Sequence, residues 1–208
     1  MTPSRTRLSR VITQMDRLGD TALVTGLRRQ DTAAFARVYE LYRPRLFAFL
    51  LRLSRNRTVA EDLLGETWLR LVAHAGSLRP DTRLAAWLFT VARNLYWTHR
   101  RSRLFEAAAM AELLTLWPAS EVWPTPFDLA SAGELERKME LALATLPPQH
   151  REVLLLVGYE GFTPTEAATV CSVTPEALRQ RLSRARGALA QAIDLPPTQA
   201  SLKRKFGT

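Results

Sequence analysis

Apolar residues recur at intervals of three and four along most of this sequence, which is the spacing that places them on one face of an α-helix. The segment from Ala60 to Val72 carries an uninterrupted stripe of this kind. Comparable stripes cover residues 31–53, with an interruption at Pro44, and residues 84–95 and 135–146. Alternating apolar and polar residues, which would indicate β-strands, are scarce. The pattern therefore predicts an all-α fold.

Charge is distributed unevenly along the 208 residues. There are 29 Lys and Arg against 20 Asp and Glu, and 26 of the cations are arginine, the side chain suited to bidentate contact with phosphates. The total of +9 divides into +11 over residues 1–105, −6 over 106–136 and +4 over 137–208. The acidic segment also holds two Trp-Pro pairs, at 117–118 and 123–124, and prolines at this density disfavour a continuous helix.

This organisation predicts two small helical domains joined by an acidic linker that contains proline and tryptophan. We expect the first domain over residues 21–105, the linker over 106–133 and the second domain over 134–193. Residues 1–20 would be an N-terminal extension, and 194–208 a basic tail that neutralises DNA phosphates. An acidic linker is often only a solvated spacer. A passive spacer, however, does not need two tryptophans.

The sequence offers no residue set for a metal, a nucleotide cofactor or covalent catalysis. Cys171 is its single cysteine, His74, His99 and His150 are scattered, and no glycine-rich phosphate loop is present. We therefore expect no cofactor, no metal, no small-molecule substrate and no enzyme activity. No secretory signal follows the N-terminal arginines and no apolar run approaches about 18 residues, so we expect a cytoplasmic protein without membrane insertion.

The second half of the sequence contains the pattern of a helix-turn-helix unit. Thr163 and Glu166 form a capping box around Pro164 at the start of a short helix, and Thr174 precedes Pro175 at the start of a longer one. On the longer helix, polar side chains lie opposite the apolar stripe and on its flanks. They are Arg179, Gln180, Arg181, Ser183, Arg184 and Arg186. These donors suit the major groove of DNA, although a solvated basic helix face shows the same composition.

Two helices of the first half carry different polar surfaces. The helix over residues 59–72 has three carboxylates near its start, Glu61, Asp62 and Glu66, which would stabilise the helix dipole in any protein. Trp68, on the apolar stripe of the same helix, is predicted to be a core residue, as is Trp87 on the next helix.

The helix over residues 84–101 carries arginines and aromatic rings off its apolar stripe. The residues off the stripe are Arg93, Asn94, Tyr96, Trp97, Arg100 and Arg101. A turn-rich loop with Arg79 and Arg83 precedes this helix. Rings interleaved with cations suit single-stranded nucleic acid, because bases stack on the rings while phosphates meet the cations.

Four segments, in this order and at this spacing, resemble the successive regions of an extracytoplasmic-function RNA polymerase sigma factor. They read AEDLLGETWLRL at 60–71, AWLFTVARN at 86–94, LPPQHREVLLL at 146–156 and VTPEALRQRLSRAR at 173–186. The resemblance implies a protein that binds core RNA polymerase, through its β and β′ subunits, and directs promoter-specific initiation of transcription. It also implies an anti-sigma factor that covers both domains.

The resemblance further implies roles for individual residues. The acidic helix would dock on the coiled coil of the β′ clamp through Glu61, Asp62, Leu63 and Glu66. The basic aromatic helix and its loop would recognise and melt the −10 element through Arg79, Arg83, Arg93, Asn94, Trp97, Arg100 and Arg101. One base would be extruded into a pocket in the loop over 78–84. The longer helix of the second domain would read the −35 duplex through Arg179, Gln180, Arg181, Ser183, Arg184 and Arg186. The linker would occupy the polymerase cleft and RNA exit path.

Two features depart from the family pattern. Gly65 stands where the family usually has a helix-forming polar residue, and a mid-helix glycine costs about 0.5 to 1 kcal/mol relative to alanine. Residues 96–98 replace the more usual small and acidic residues, so we expect a shifted −10 specificity.

Two other classes of protein are alternatives. A dimeric helix-turn-helix regulator would use the second domain in the same way, but it leaves the acidic helix, the basic aromatic helix and the linker without a role. An enzyme would need a nucleophile with a base or a metal cluster, which these residues do not provide.

Overall fold

The computed structural model describes residues 20–111 and 133–194. The chain divides into two compact units, one containing the helices up to residue 111 and the other most of those after residue 132. The two described stretches contain eight α-helices and no β-strand, so the all-α prediction is confirmed. The predicted N-terminal extension up to residue 19, the linker from 112 to 132 with its two Trp-Pro pairs, and the basic tail lie outside the described residues.

Four helices form the first domain. They are α1 (20–28), α2 (Thr32–Ser54), α3 (Arg57–His74) and α4 (Leu84–Ala111). Asp31 is the N-cap of α2 and Asn56 is the N-cap of α3, because their side chains accept hydrogen bonds from the Ala33 and Val59 amides at 2.9 and 3.1 Å. After α3, one 3₁₀ turn leads into the loop over residues 78–83.

The core of the first domain lies where α2 packs against both α3 and α4. The rings of Phe49 and Phe89 meet edge to face with centroids 5.2 Å apart, and both are buried. Trp68 is only 8% exposed, as predicted for a core residue. At Gly26 on α1 an added Cβ would collide with the Cβ of Ala34 on α2, so the close approach of these two helices requires glycine.

The interruption of the apolar pattern at Pro44 does not interrupt the helix. α2 continues through Pro44, which is exposed. A proline removes one backbone N–H, and the carbonyl that loses its partner belongs to Glu40, an exposed residue where water can satisfy it. The flanking Tyr42 and Leu46 are buried, and this packing outweighs the lost hydrogen bond.

α4 extends further than its apolar stripe indicated. It ends at Ala111 rather than near Arg101, and so includes residues 106–111 of the predicted linker. These residues are Glu, Ala and Met, which all favour a helix, so the helix continues past the point where the charge of the chain changes sign.

Four helices form the second domain. They are α5 (Glu134–Thr145), α6 (Pro148–Leu154), α7 (Pro164–Cys171) and α8 (Pro175–Asp194). α6 continues as a π-helical turn over Leu155–Tyr159, and the chain then reverses at Gly161, whose φ of 75° glycine adopts without steric cost. α8 packs against α5 and α6 around the buried side chains of Leu143, Leu156 and Leu178.

The helix-turn-helix prediction is confirmed, including the predicted N-caps of both helices. The Thr163 hydroxyl accepts from the Glu166 amide at 3.3 Å, and the Glu166 carboxylate accepts from the Thr163 amide at 2.9 Å. The Thr174 hydroxyl caps the start of α8 by accepting from the Ala177 amide at 3.2 Å. The turn between α7 and α8 passes through Ser172, which has a left-handed φ of 55°.

Membrane-spanning and metal-binding features are missing from residues 20–111 and 133–194. No helix there combines the length and the apolar character needed to cross a membrane. Over the same stretches, no three His, Cys, Asp or Glu side chains are grouped as a metal ion would require. Cys171 is buried at the end of α7.

Candidate functional site

The surface of α4 predicted to hold single-stranded DNA is formed by side chains in mutual contact. The Arg93 guanidinium lies 6.0 Å from the centroid of the Trp97 ring and donates to Oδ1 of Asn94 at 2.9 Å. Arg100 and Arg101 follow three and four residues after Trp97, on the same side of the helix. The structure therefore places cations beside a partly exposed indole ring.

Tyr96 does not belong to this exposed surface. Its side chain is 4% exposed, so the prediction that it lies off the apolar stripe is wrong. Tyr96 follows the buried Ala92 by one helical turn and joins the core of the first domain. Its ring meets Trp97 nearly edge-on, with centroids 5.3 Å apart and planes at 70°. A buried ring thus supports Trp97 from the side of the core.

The loop before α4 is anchored at both ends by the buried Leu78 and Leu84. Between them, Arg79 forms a bidentate ion pair with Asp81, with an Nε–Oδ1 distance of 3.0 Å and an Nη2–Oδ2 distance of 3.1 Å. Hydrogen bonding from Arg79 holds the pKa of Asp81 below its usual value, because it stabilises the charged carboxylate. Arg83 is partly buried next to α4. DNA would have to compete with Asp81 for Arg79.

Most of the side chains predicted to read DNA are exposed on α8. They are Arg179, Gln180, Ser183, Arg184 and Arg186. Glu176, in the first turn, holds two of them by accepting from Arg179 at 2.7 Å and from Gln180 at 3.4 Å. The hydrogen bond from Arg179 is the main reason that the pKa of Glu176 is lowered. The two donors are therefore ordered by an ionised carboxylate at the N-terminal end of α8.

Arg181 lies on the inner flank of the same helix. Its side chain is 23% exposed, and its Nη1 lies 3.9 Å from Oε2 of Glu152, a fully buried residue on α6. Separating such a pair is costly, because the buried carboxylate would be left without a compensating charge. The DNA contact predicted for Arg181 would require this side chain to leave Glu152.

Comparison with known proteins identifies the family. The Sigma-70 region 2 family matches residues 38–104, and the family Sigma-70, region 4 matches residues 136–189. The ECF RNA polymerase sigma factor EcfG from Rhodopseudomonas palustris is 36% identical over 155 residues, which cover 72% of this chain and 80% of that protein. The chain belongs to the extracytoplasmic-function sigma factors. It is therefore a promoter-directing sigma factor, and the alternative of a dimeric helix-turn-helix regulator is wrong.

Two further relatives agree with this assignment. The RNA polymerase sigma factor CarQ from Myxococcus xanthus is 34% identical, over 73% of this chain and 84% of its own. The solved structure of the sigma factor RpoE from Bartonella quintana, in complex with the anti-sigma factor NepR, has a TM-score of 0.64 and 29% identity, over 77% of this chain and 97% of that one. Both family matches fall inside the two domains predicted from the sequence, whose exact boundaries stay predictions.

The α3 face of this sigma factor is less acidic than the sequence pattern indicated. Glu61 pairs with Arg57 at 2.9 Å and Glu66 with Arg70 at 2.8 Å, each one turn away on the same helix. Asp62 is exposed. None of the three carboxylates lies in the first turn of α3, where a helix dipole acts, so the dipole does not account for them.

The sequence pattern gives Leu69 no role and places Val72 in the buried stripe of α3. Both are exposed on α3, Leu69 by 65% and Val72 by 61%. Leu69 is the only large apolar residue on the polar side of the helical wheel between Glu61 and Arg70, and that position could have revealed it. Leu63, predicted to contact the clamp, is 8% exposed and leaves little of its side chain available for contact.

An open groove of about 540 Å³ lies between α2 and α3, beside this face. Tyr39, Phe47 and Trp68 line it, and the Arg43 guanidinium lies 5.8 Å from the Tyr39 ring centroid. An added Cβ at Gly65, which also lines the groove, would have no atom within 4 Å. Packing within the described residues therefore does not require glycine there, and its absent side chain leaves the groove open.

Proposed function

We propose that this sigma factor docks on the β′ clamp of core RNA polymerase with α3, separates the strands of the −10 element with α4 and its loop, and reads the −35 element as duplex with α8. The observation that carries the proposal is the contact between Arg93, Asn94 and Trp97 on one helix, in a chain that also presents an exposed row of donors on a capped recognition helix. The chain would act in the cytoplasm as an initiation factor, with no catalytic centre, cofactor or small-molecule substrate of its own.

Strand separation at the −10 element follows from the chemistry of the α4 surface. Duplex bases are stacked on each other and cannot stack on Trp97, so this ring favours the separated state. Stacking of a base on an aromatic side chain contributes about 1 to 3 kcal/mol, which offsets the few kcal/mol that unstacking costs. Arg100 and Arg101 would hold the phosphates of the same strand, while Arg79 and Arg83 in the loop would meet an extruded base and its backbone.

Docking on polymerase would use a mixed surface on α3. The paired carboxylates Glu61 and Glu66 retain charge for partner cations, and Asp62 adds another. The exposed Leu69 and Val72 would supply the apolar contact that charged pairs alone do not give. The solved structure of the Bartonella quintana sigma factor contains an anti-sigma factor, and by that likeness we propose that such a partner also regulates this chain.

Run-off transcription on a randomised promoter library tests the proposed function. With core RNA polymerase, the chain should enrich templates that share one −10 and one −35 sequence, and it should protect promoter DNA only when core polymerase is present. Strong protection by the chain alone, or transcripts without any shared promoter sequence, would contradict the proposal.

Substitution of Arg184 is expected to relax −35 selectivity. Arg184 is exposed on the polar face of α8, so Arg184→Ala should remove about 1 to 3 kcal/mol of discrimination at one −35 position, roughly 5- to 150-fold. Transcription from promoters varied at each −35 position measures this change. Arg137→Ala removes the same charge from the exposed surface of α5 and should leave selectivity intact. Equal selectivity of wild type and Arg184→Ala would exclude a base contact.

Reversal of charge on α3 is expected to weaken binding to core polymerase. The double variant Glu61→Lys/Asp62→Lys should lose about tenfold or more in affinity, because like charges across an interface cost several kcal/mol. Its circular dichroism should stay unchanged, since both side chains are exposed. Glu106→Lys, on the exposed surface of α4, is the matched control. Unaltered affinity of the double variant would rule out this face as the docking surface.

A further inference from the structure

Asp20 is a buried carboxylate that joins three helices of the first domain. It begins α1 and is 7% exposed. Its Oδ2 accepts a hydrogen bond from the Leu84 amide at 3.1 Å, and its Oδ1 accepts from the Tyr42 hydroxyl at 3.5 Å. Leu84 is the first residue of α4 and lies 64 positions away along the chain. No local pattern singles out Asp20, which falls at the end of the predicted N-terminal extension.

The bond to Leu84 is a helix cap supplied from a distance. The first amides of a helix have no partner within it, and a side-chain oxygen placed just before the helix usually satisfies one of them. The residue before α4 is Arg83, whose side chain has donors only. Asp20 provides the missing oxygen, and its negative charge also suits the positive end of the helix dipole. Because the site is buried, water competes poorly for this amide.

We propose that Asp20 is a positioning residue for −10 recognition, acting through the Leu84 amide on the loop over residues 78–83. This inference rests on the proposed function of that loop. Only five residues separate the buried Leu78 from the buried Leu84, so the path of the loop depends on where α4 begins. Asp20 connects the start of α4 to α1, on which it lies, and to α2 through the Tyr42 hydroxyl. Without it, the first turn of α4 frays and the loop loses its fixed end.

The arrangement predicts a division between the two parts of the −10 surface. The loop lies next to the Asp20 cap, whereas Arg93 and Trp97 lie more than two turns further along α4 and are supported by the buried Tyr96. Loss of the cap should therefore weaken discrimination at the base held by the loop. Stacking on Trp97 should change little.

Tyr42 offers a matched control for a purely structural role. Tyr42→Phe removes the second partner of Asp20 but leaves the Leu84 cap in place. If Asp20 served only to hold the core together, Tyr42→Phe and Asp20→Ala would each change −10 selectivity in proportion to the stability that they remove. If Asp20 positions the loop, its substitution reduces −10 selectivity by more than the lost stability accounts for, whereas Tyr42→Phe does not.

The experiment compares full-length wild type, Asp20→Asn, Asp20→Ala and Tyr42→Phe. Three quantities are measured: hydrogen exchange of the Leu84 amide in the free protein by NMR, thermal unfolding, and transcription with core polymerase from promoters varied at each −10 and −35 position. For Asp20→Ala we expect Leu84 exchange and loop-base selectivity to change by about fivefold or more, the size of a typical cap, with −35 selectivity unchanged. Asp20→Asn keeps one side-chain oxygen, so it should fold and show a smaller change of the same kind.

Three outcomes would overturn the inference. Unchanged Leu84 exchange in both Asp20 variants would show that the cap does not act in solution. Equal loss of selectivity in Tyr42→Phe and Asp20→Asn at equal stability would reduce Asp20 to a structural residue. A wild-type protein with normal Leu84 protection but no −10 selectivity would instead refute the proposed function, and the inference with it.

Discussion

Replacement of Arg151 by methionine is expected to destabilise the second domain by about 3 kcal/mol or more. Arg151 is 4% exposed and donates to three backbone carbonyls, those of Leu143 at 3.0 Å, Ala144 at 3.0 Å and Leu146 at 2.9 Å. These carbonyls lie at the end of α5, where a helix leaves its last acceptors without partners. Methionine replaces the aliphatic part of the arginine side chain but has no donor, so it would leave buried acceptors unsatisfied, at about 1 to 3 kcal/mol each.

Thermal unfolding can assign this loss to one domain. All five tryptophans precede residue 124, so indole fluorescence follows the first part of the chain, whereas far-UV circular dichroism follows both domains. Arg151→Met should lower the circular dichroism transition of the second domain by about 10 °C or more and leave the fluorescence transition in place. Arg137→Met, exposed on α5, should change stability by less than about 0.5 kcal/mol. Similar shifts in the two variants would show that the Arg151 hydrogen bonds contribute little.

The parts of this fold that the sequence predicted correctly depend on residues three or four positions apart. Thr163 and Glu166 predict the start of α7, and Thr174 with Pro175 predicts the start of α8, because a helix cap involves only residues of its own turn. The exposed donors of α8 follow from its apolar stripe in the same way. The ion pairs of Glu61 and Glu66 on α3 are equally local and could have been inferred from their spacing.

The features that the sequence did not predict depend on packing between distant segments. Val72 is exposed and Tyr96 is buried because neighbouring helices, and not the wheel alone, decide how wide a buried stripe is. The cap from Asp20 to Leu84 joins residues 64 positions apart. Arg151 looks like any other cation of a basic domain until the end of α5 is brought against it. Such contacts have no signature in a single sequence, since their partners are set by the tertiary structure.

Replacement of Trp97 by alanine is expected to slow promoter opening about tenfold or more. The indole ring can stack on a base only after the strands separate, so its contribution of about 1 to 3 kcal/mol belongs to the open state. The neighbours of the ring strengthen this expectation. The Arg93 guanidinium lies 6.0 Å from its centroid and the buried Tyr96 meets it edge-on, so the ring is already held before DNA arrives.

A fluorescent base analogue near −10 reports the opening step, and protection of duplex promoter DNA at low temperature reports the closed complex. Trp97→Ala should slow the first and leave the second nearly unchanged. Phe105→Ala is the matched control, because Phe105 is 73% exposed on the same helix and lies about two turns beyond Trp97. If Trp97→Ala weakened the closed complex as much as it slowed opening, the ring would contact duplex DNA, and strand separation would have to rest on other residues of α4.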